Sequence, residues 1–402
     1  MKAQMVALSG LYQIGSSKRV LKSQWKTEGV PFYRGREITR LAADGFVENE
    51  LFISEEHFAE LAAQSGVPKT GDIVITAIGT IGNAHIVRDF DRFYFKDASV
   101  LWMKRTSDVS SEFINLWLKS PLFFDQLDRG NGATVDTLTI QKLQSVRLCV
   151  PSPAEQQRIV AILDEAFAGM ATARAAAEQN YQNARALFES HLQSIFSERG
   201  EGWLEKPLGD MATFRNGINF TKSSKGESIK ILGVKDFQKN YWAPLEDLDS
   251  IIPDGVLPDT DTLAQNDIVF VRSNGNPELI GRCLLVGEIS ERIAHSGFTI
   301  RARLRTDEIS PTYLCHFLKS NNARRKMIDG GNGANIKSLN QGTLSSLVIP
   351  FPLGVSEQAR IVGRLEELQG ETQRLEALYQ RKIEALDELK QSLLHQAFNG
   401  NL

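Results

Sequence analysis

The sequence predicts a mixed α/β (α+β) fold made of two tandem globular domains and two long helices that pair as an antiparallel coiled coil. Residues 155–163 read EQQRIVAIL and residues 357–365 read EQARIVGRL, 202 positions later. Apolar residues then recur at alternating spacings of four and three in both copies, which is typical of a helix with one packed seam. Together these observations indicate an internal repeat with pseudo-twofold symmetry.

The repeat extends upstream through the globular parts of the chain. The matching pairs are FINLWLKS (113–120) with YLCHFLKS (313–320), RGNGA (129–133) with GGNGA (330–334), and GDIVITAIGTIGNAHIV (71–87) with NDIVFVRSNGNPELIGRCLLV (266–286). Segments 1–70 and 201–265 barely resemble each other. We therefore expect a variable region, a more similar region and a long helix in each copy. The expected boundaries are 1–150, 151–199, 200–353 and 354–402.

The two long helices carry the predicted seam, in which small residues of one helix lie opposite large residues of the other. Each spans about 43 residues, or roughly 64 Å at 1.5 Å per residue. Equal length and matched phase favour mutual pairing over two helices that each cover their own domain, or over a parallel homodimeric coiled coil. The seam residues are Ile159, Leu163, Ala166, Met170, Ala173 and Ala177 in the first helix, and Ile361, Leu365, Leu368, Leu375, Leu378, Leu386, Leu389 and Leu393 in the second.

The globular parts show strand and helix patterns in the same order in both copies. Runs rich in β-branched residues and bounded by turn residues predict strands. Apolar residues at helical spacing predict a helix over FINLWLKSPLFFDQL and another over YLCHFLKSNNARRKMI. The predicted strands are GDIVITAIG, AHIVRDF, VLWMKR, FTIRARLR, VRLCVP and LVIPFP.

Composition and charge indicate an ordinary globular protein. The 402 residues are 42% hydrophobic and 24% charged, with a formal net charge of −3. The N-terminus lacks the apolar core of a signal peptide, and no run approaches the roughly 18 apolar residues of a membrane span. Three well-separated cysteines predict reduced thiols in a cytoplasmic protein, and neither they nor the six histidines show metal-ligand spacing. If the chain binds DNA, a partner has to supply much of the phosphate neutralisation.

Several of these motifs match one known family. GDIVITAIGTIG, NDIVF, the two GNGA loops, PSPAEQQRIV, PLGVSEQARIV and the ending LLHQAFNGNL carry the match. With them the sequence resembles the DNA-specificity subunit of type I restriction-modification systems, over essentially its full length and with both copies in order. The resemblance implies two target-recognition domains on double-stranded DNA, separated by an antiparallel helical pair. It also implies assembly with two DNA methyltransferase subunits and, in some complexes, with helicase-nuclease restriction subunits.

The motifs of catalysis are missing from the sequence. NPEL at 276–279 lacks the second proline and the aromatic residue of a methylase loop, and no GxxxxGK stretch is present. The Pro-Asp pairs at 253–254 and 258–259 have an ExK-like partner only at 388–390, on the predicted second helix. We therefore expect no catalytic residue, no cofactor and no metal, and a chain that confers specificity on partner enzymes.

Four groups of polar residues are candidate DNA contacts, because arginine and lysine bind guanine or phosphate and asparagine pairs with adenine. Each group also has a structural alternative: a solvated loop, a hairpin turn, a helix C-cap or a flexible loop, respectively. The groups are Lys18, Arg19, Arg34 and Arg36; Thr76, Thr80 and Asn83 with Arg272, Asn274 and Asn276; Arg129, Asn131 and Thr134 with Asn332, Asn335 and Lys337; and Lys222, Lys225 and Lys235.

Two further functions stay open at this point. A self-contained restriction enzyme would have the same DNA contacts, but the absent catalytic motifs argue against it. A coiled-coil scaffold without DNA binding would explain the long helices and the weak basicity. Because the two variable regions differ, a specificity subunit should read two different half-sites, with the helices setting the distance between them.

Overall fold

The computed structural model of the chain describes residues 4–127, 137–197, 200, 202–221, 223–237, 240–329 and 338–402. The chain divides into two compact units. Unit 1 comprises Met1–Glu178 and Arg381–Leu402, and unit 2 comprises Gln179–Gln380. Each of the two long helices crosses from one unit into the other, so each unit contains a part of both helices.

Unit 1 contains three small sheets. A four-stranded antiparallel sheet has the order β2-β8-β5-β6, a three-stranded sheet has the order β4-β3-β7 with β3 and β7 parallel, and β1 pairs with β9. The elements are β1 Gln4–Ala7, β2 Tyr12–Gly15, β3 Val30–Tyr33, α1 Gly35–Asp44, β4 Phe52–Ile53, α2 Glu55–Ser65, β5 Ile73–Thr76, β6 Ala84–Ile86, β7 Tyr94–Phe95, β8 Val100–Arg105, α3 Ser111–Trp117, α4 Pro121–Leu127, α5 Ile140–Ser145, β9 Arg147–Val150 and the long helix α6 Pro153–Ser197.

Unit 2 repeats this plan. The elements are β10 Trp203–Pro207, α7 Leu208–Met211, β11 Ala212–Asn216, β12 Ile229–Leu232, β13 Asp249–Ile251, β14 Ile268–Val271, β15 Cys283–Leu285, β16 Ile293–His295, β17 Thr299–Leu304, α8 Pro311–Lys319, α9 Asn321–Asp329, α10 Gln341–Ser345, β18 Val348–Pro352 and the long helix α11 Val355–Phe398. Its sheets have the orders β11-β17-β14-β15, β13-β12-β16 and β10-β18. The pair β12 and β16 is parallel, as is its counterpart in unit 1.

Strand order, strand direction and helix order thus correspond between the units, which confirms the predicted mixed α/β fold with an internal repeat. The correspondence includes β1 to β4 and β10 to β13, where the two sequences barely match. The two variable regions have the same strand order and differ in the segments that connect the strands. Among the residues that the structure describes between β12 and β14 of unit 2, helices α1 and α2 of unit 1 have no α-helical counterpart.

A buried aspartate explains why both copies keep the letters DIV. The Asp72 carboxylate accepts the Trp102 indole N–H at 2.9 Å and the Arg105 backbone N–H at 2.8 Å. The fully buried carboxylate of Asp267 accepts two N–H groups of the Arg303 guanidinium, both at 2.7 Å. Both aspartates lie just before a central strand, and both bind the neighbouring strand. This pairing satisfies a charge that would be costly to bury alone.

The two predicted helices over 113–127 and 313–328 are each broken into two, which corrects that prediction. In unit 1, Pro121 begins α4 and disfavours helical geometry at Ser120, whose hydroxyl donates to the Trp117 carbonyl at 2.6 Å. In unit 2, Ser320 has the extended backbone values φ −64° and ψ 146°. Apolar spacing continued through both breaks, so the sequence pattern alone did not reveal them.

Within each unit the two long helices run antiparallel, as predicted. In unit 1 the start of α6 and the end of α11 share one hydrophobic core, where the rings of Phe113 and Phe398 meet edge to face at 5.1 Å. Arg174 of α6 also forms an ion pair with Asp387 of α11. In unit 2 the end of α6, at Leu192 and Phe196, shares a core with the start of α11.

Burial along the helices corrects part of the predicted seam. Leu375, Leu378 and Leu389 are 37%, 50% and 47% exposed, while Thr372 and Leu394 are buried. A straight helix drifts by about 20° per heptad from a strict seven-residue repeat, so a stripe extrapolated over many turns leaves the packed face. Ile159, Leu163, Ala177, Ile361 and Leu365 are buried, and Ala166, Met170, Ala173, Leu368, Leu386 and Leu393 are partly buried.

No helix in the part of the chain that the structure describes is long and apolar enough to cross a membrane.

Candidate nucleic-acid interface

The central sheet of unit 1 ends in a fixed arrangement of backbone groups. Beyond the paired residues Thr76 and Val100, the Ala77 N–H donates to the Ser99 carbonyl at 3.0 Å. The Ala77 carbonyl in turn accepts the Leu138 N–H at 2.8 Å. One residue just after β5 therefore joins the start of β8 to the segment before α5.

Unit 2 has the same arrangement with different side chains. The Arg272 N–H donates to the Phe298 carbonyl at 2.8 Å, and the Arg272 carbonyl accepts the Leu339 N–H at 2.9 Å. We call the residues 77, 99 and 138 in unit 1, and 272, 298 and 339 in unit 2, the strand-end frame. The frame brings together two loops that are far apart in sequence. It also places Arg272, a predicted DNA contact, beside Phe298, which the sequence did not single out.

The predicted loop at 76–83 is a structured hairpin. Thr76 is only 1% exposed, its hydroxyl donates to the Thr80 carbonyl, and it accepts the Asn83 N–H at 3.1 Å. The Asn83 side chain donates to the Thr39 hydroxyl at 3.1 Å. These bonds favour the hairpin-turn alternative for Thr76 over its prediction as a DNA contact. Thr80 is exposed and stays a candidate.

The corresponding loop of unit 2 is also held by its own side chains. The Asn274 side-chain oxygen accepts the Asn276 N–H at 2.8 Å, and the Asn276 oxygen accepts the Glu278 N–H at 3.0 Å. These bonds form a turn and cap the one-turn helix Pro277–Leu279. Among described residues, the Arg272 guanidinium has one long hydrogen bond, at 3.4 Å to the Gly297 carbonyl. Arg272 therefore has spare donors, as do the side-chain NH₂ groups of Asn274 and Asn276, which donate no hydrogen bond among the described residues.

Arg34 and Arg36 form ion pairs at the start of α1. The Arg34 guanidinium lies 2.8 Å from Glu37, and the Arg36 guanidinium lies 2.5 Å from the same carboxylate. Burial of Glu37 raises the pKa of its carboxyl, but hydrogen bonds from both arginines outweigh burial and leave the pKa below its usual value. Glu37 also accepts the Arg34 backbone N–H at 2.8 Å. Both guanidiniums therefore hold the Glu37 carboxylate that caps α1, which favours the structural alternative for them.

The remaining described candidates are exposed lysines and one arginine. Lys18 and Arg19 lie in an exposed segment, and the Lys18 backbone N–H donates to the Tyr94 hydroxyl at 2.9 Å. Lys225 is exposed as well. The Lys235 ammonium lies 2.5 Å from Asp249, which raises the pKa of Lys235. Lys18, Arg19 and Lys225 form no ion pair with another described residue, so their side chains are available to phosphate.

Seven predicted contacts lie outside the described residues. They are Arg129, Asn131, Thr134, Lys222, Asn332, Asn335 and Lys337. They stay predictions.

The strand ends of unit 2 adjoin a buried histidine and arginine. His295 is 1% exposed, and its Nδ1 lies 2.9 Å from the Thr299 hydroxyl. Burial, followed by the charge of Arg301, lowers the pKa of His295 to about 4, so the imidazole is neutral at pH 7. Arg301 is 5% exposed and shares a strand with Thr299. No group of three or more potential metal ligands lies together in the described ranges.

Each unit also has a groove where its sheet meets the start of a long helix. The groove of unit 1 has a volume of about 840 Å³, and that of unit 2 about 630 Å³. Their walls combine charged groups with short apolar and polar side chains. Equivalent positions line both: Gly71 and Asn266, Ser110 and Ser310, Ser111 and Pro311, and Pro153 and Val355.

The fold and these surfaces define a duplicated α/β protein with paired long helices and equivalent loops at its strand ends. The chain belongs to the family described as type I restriction modification DNA specificity domain, which matches residues 2–177 and 200–385. Both copies of the repeat are thus members of one domain family.

Known proteins agree with this assignment. The StySPI type I restriction enzyme specificity subunit of Salmonella potsdam is 25% identical over 309 residues, which cover 73% of this chain and 66% of that protein. The matches span 40% to 66% of the length of the curated relatives. A chain from a structure titled for complex assembly and conformational transition of the type I R-M system has a TM-score of 0.78, 16% identity and coverage of 100% and 98%. The HsdS subunit from Thermoanaerobacter tengcongensis has a TM-score of 0.60, 17% identity and coverage of 100% and 97%. Both structures share the fold.

Proposed function

We propose that this chain is the non-catalytic DNA-specificity subunit of a type I restriction-modification complex, and that it reads a split, asymmetric site on double-stranded DNA. Residues 1–150 and 200–353 are the two target-recognition domains, and residues 151–199 and 354–402 are the helices that set their spacing. The observation that carries the proposal is the strand-end frame. Two members of one specificity-domain family present different side chains from the same backbone positions, as a reader of two different half-sites requires.

The charge of the chain supports binding as part of a complex. A formal net charge of −3 leaves little attraction for DNA phosphates from this chain alone, and partner subunits add to it. Direct readout then depends on a few side chains at base edges, while phosphate contacts set position. Lys18, Arg19 and Lys225 serve as phosphate contacts, and Thr80 and Arg272 lie on loops that face a base or a phosphate.

Two copies of a DNA methyltransferase subunit are the partners that the repeat favours. An internally repeated surface binds the same partner twice, and the two grooves are lined by equivalent positions of the two units. Helicase-nuclease restriction subunits join the complex through further contacts. The three described cysteines are free thiols, which suits the reducing cytoplasm where the DNA and these partners are found.

Co-expression with the cognate methyltransferase subunit in a host without DNA methylation tests the function. Sequencing of modified bases across the genome should yield one motif with two different halves and a spacer of fixed length. Unmodified DNA despite a stable complex would contradict the proposal and favour a scaffold without DNA binding. A control culture without this chain should show no motif. Modification or cleavage by this chain alone would instead support a self-contained enzyme.

A further inference from the structure

In the strand-end frame the two units have the same backbone hydrogen bonds but different side chains. At the first frame position unit 1 has Ala77 and unit 2 has Arg272, while at the second unit 1 has Ser99 and unit 2 has Phe298. The hydrogen bond between the first two frame positions measures 3.0 Å in unit 1 and 2.8 Å in unit 2. The bond between the first and third positions measures 2.8 Å and 2.9 Å, so the two units agree within 0.2 Å. The chain thus replaces two small side chains by an arginine and a phenylalanine on one scaffold.

Phe298 is held on a rigid backbone although its side chain is 60% exposed. Its N–H donates to the Ser296 hydroxyl at 3.3 Å, and the preceding Gly297 N–H donates to the Ile218 carbonyl at 2.7 Å. A Cβ on Gly217 would lie 2.2 Å from the His295 carbonyl oxygen, so only glycine permits this crossing of two loops. An aromatic side chain on a fixed backbone has only its two side-chain torsions left to order when it binds a partner.

Arginine and phenylalanine together match a particular step of double-stranded DNA. Arginine donates two hydrogen bonds to O6 and N7 of guanine, and an apolar ring contacts the C5-methyl group of thymine, both in the major groove. Arg272 has spare donors among the described residues, and its backbone is bonded directly to that of Phe298. Two adjacent side chains reach adjacent base pairs, so their targets are neighbours in sequence.

We propose that Arg272 and Phe298 are the specificity-determining pair of unit 2 and that they read a guanine next to a thymine in the major groove. Ala77 and Ser99 provide no such pair, so unit 1 reads its half-site from other side chains. The proposal rests on the proposed function, because it assigns bases to residues of a recognition domain. It is separate from that function, since a specificity subunit can read its half-site without this pair.

The first test compares the methylated motifs of four versions of the chain, each co-expressed with the methyltransferase subunit. The versions are wild type, Arg272→Ala, Phe298→Ser and Val256→Ser, where Val256 is an 88% exposed apolar residue of unit 2 outside the frame. Arg272→Ala should relax the motif at one guanine and Phe298→Ser at one neighbouring thymine. Val256→Ser should leave the motif unchanged, and all versions should keep the other half-site.

The outcomes separate this proposal from the function on which it rests. A wild-type motif that persists unchanged in Arg272→Ala and Phe298→Ser would overturn the pair and leave the function standing. No motif with the wild-type chain would overturn both. If a variant gives no methylation at all, binding of the purified variant complex to the wild-type site and to single-base mutants decides. Equal discrimination by wild type and variant would then overturn the pair.

The second test removes single atoms from the DNA. Deoxyuridine in place of the assigned thymidine lacks only the methyl group, and 7-deazaguanine lacks N7. Each analogue should weaken binding of the wild-type complex by about 5-fold or more, in line with the discrimination of a good base contact. The Phe298→Ser complex should bind uridine and thymidine DNA equally well, and the Arg272→Ala complex should bind guanine and 7-deazaguanine DNA equally well, because alanine has no donor for N7. Analogue effects that persist in these variants would contradict the assignment.

Discussion

The side-chain oxygen of Gln156 accepts the backbone N–H of Ser110 at 2.9 Å, and its NH₂ group donates to the Pro151 carbonyl at 2.9 Å. Gln358 makes the same two bonds in unit 2, to Ser310 at 2.7 Å and to Pro352 at 2.9 Å. Both glutamines are almost fully buried at the start of a long helix. The glutamine of each EQ motif therefore attaches the start of a long helix to a turn: α6 to the turn before α3, and α11 to the turn before α8.

Removal of either glutamine should destabilise its unit. Gln156→Ala leaves the Ser110 N–H and the Pro151 carbonyl without their partner, which costs about 1–3 kcal/mol for buried polar groups. Gln358→Ala should cost more, because Gln358 also donates to the Glu308 carbonyl at 2.7 Å. Urea unfolding followed by tryptophan fluorescence measures the loss. Gln157→Ala, at the exposed neighbouring position, should change little, and an equal loss there would contradict this role.

The internal repeat made the fold predictable, because a strand or helix pattern that occurs in both copies is stronger evidence for that element than a pattern in one copy. The predicted strand run around Ile73–Thr76 is a strand in the structure, and the long helices begin at Pro153 and Val355, two residues before the repeated EQ motif. The helix breaks at Ser120 and Ser320 escaped notice because apolar spacing continues through them. Leu375 and Leu378 were assigned to the seam because a heptad pattern does not register the drift of a straight helix.

The candidate site was predictable as a set of loops and less so as a set of side chains. The sequence does not distinguish a threonine that contacts DNA from one that closes a hairpin. For Thr76 the two hydrogen bonds of its hydroxyl group favour the hairpin. Arg34 was likewise predicted to contact DNA, whereas in the structure its guanidinium forms an ion pair with Glu37. Phe298 was missed because it is the first residue of the predicted strand FTIRARLR, where an aromatic residue is ordinary, whereas the observed strand begins at Thr299. Its exposure and its bond to Arg272 are properties of the fold.

Acidification should destabilise unit 2 through two buried histidines. Burial, followed by Arg301 for His295 and by Lys319 for His316, lowers the pKa of each imidazole to about 4. Unfolded histidine takes up a proton near pH 6.5, so the unfolded state binds more protons between pH 6.5 and 4. The free energy of unfolding should therefore fall as the pH falls through this window, by about 2 kcal/mol per histidine between pH 7 and 5.

Urea unfolding at a series of pH values measures this effect, and a variant isolates one histidine. His316 stacks on Tyr241 with the ring centroids 4.7 Å apart, and phenylalanine preserves that ring contact. His316→Phe should reduce the fall in the free energy of unfolding between pH 7 and 5 by about half, because the contribution of His295 remains. His395→Gln, at an exposed position of α11, should leave it as steep as in the wild type. An unchanged slope in His316→Phe would show that this imidazole is not held neutral.

Exposed cations near the start of the chain should strengthen DNA binding without setting sequence preference. Lys18→Ala and Arg19→Ala should each weaken binding of the assembled complex to its site and to unrelated DNA alike. Each should also reduce the slope of log K against log salt by about 0.9, the value for one lost phosphate contact. Lys235→Ala removes a cation that is already paired with Asp249, so its slope should match the wild type. A changed motif in Lys18→Ala would instead mean base readout.

The two grooves should each hold one methyltransferase subunit, so damage to one groove should remove one copy. Asp108 lines the groove of unit 1 and Asp307 that of unit 2, both exposed in the turn before α3 or α8. Reversal of their charge by Asp108→Arg or Asp307→Arg opposes a complementary partner surface at little cost to folding, because exposed charges contribute little stability. Native mass spectrometry should find two methyltransferase subunits per wild-type chain, one per single variant and none for the double variant. Asp254→Arg, an exposed reversal outside both grooves, should retain two. A single variant that loses both copies together would show that the partners bind as a preformed pair, and a double variant that keeps both would move the docking surface away from the grooves.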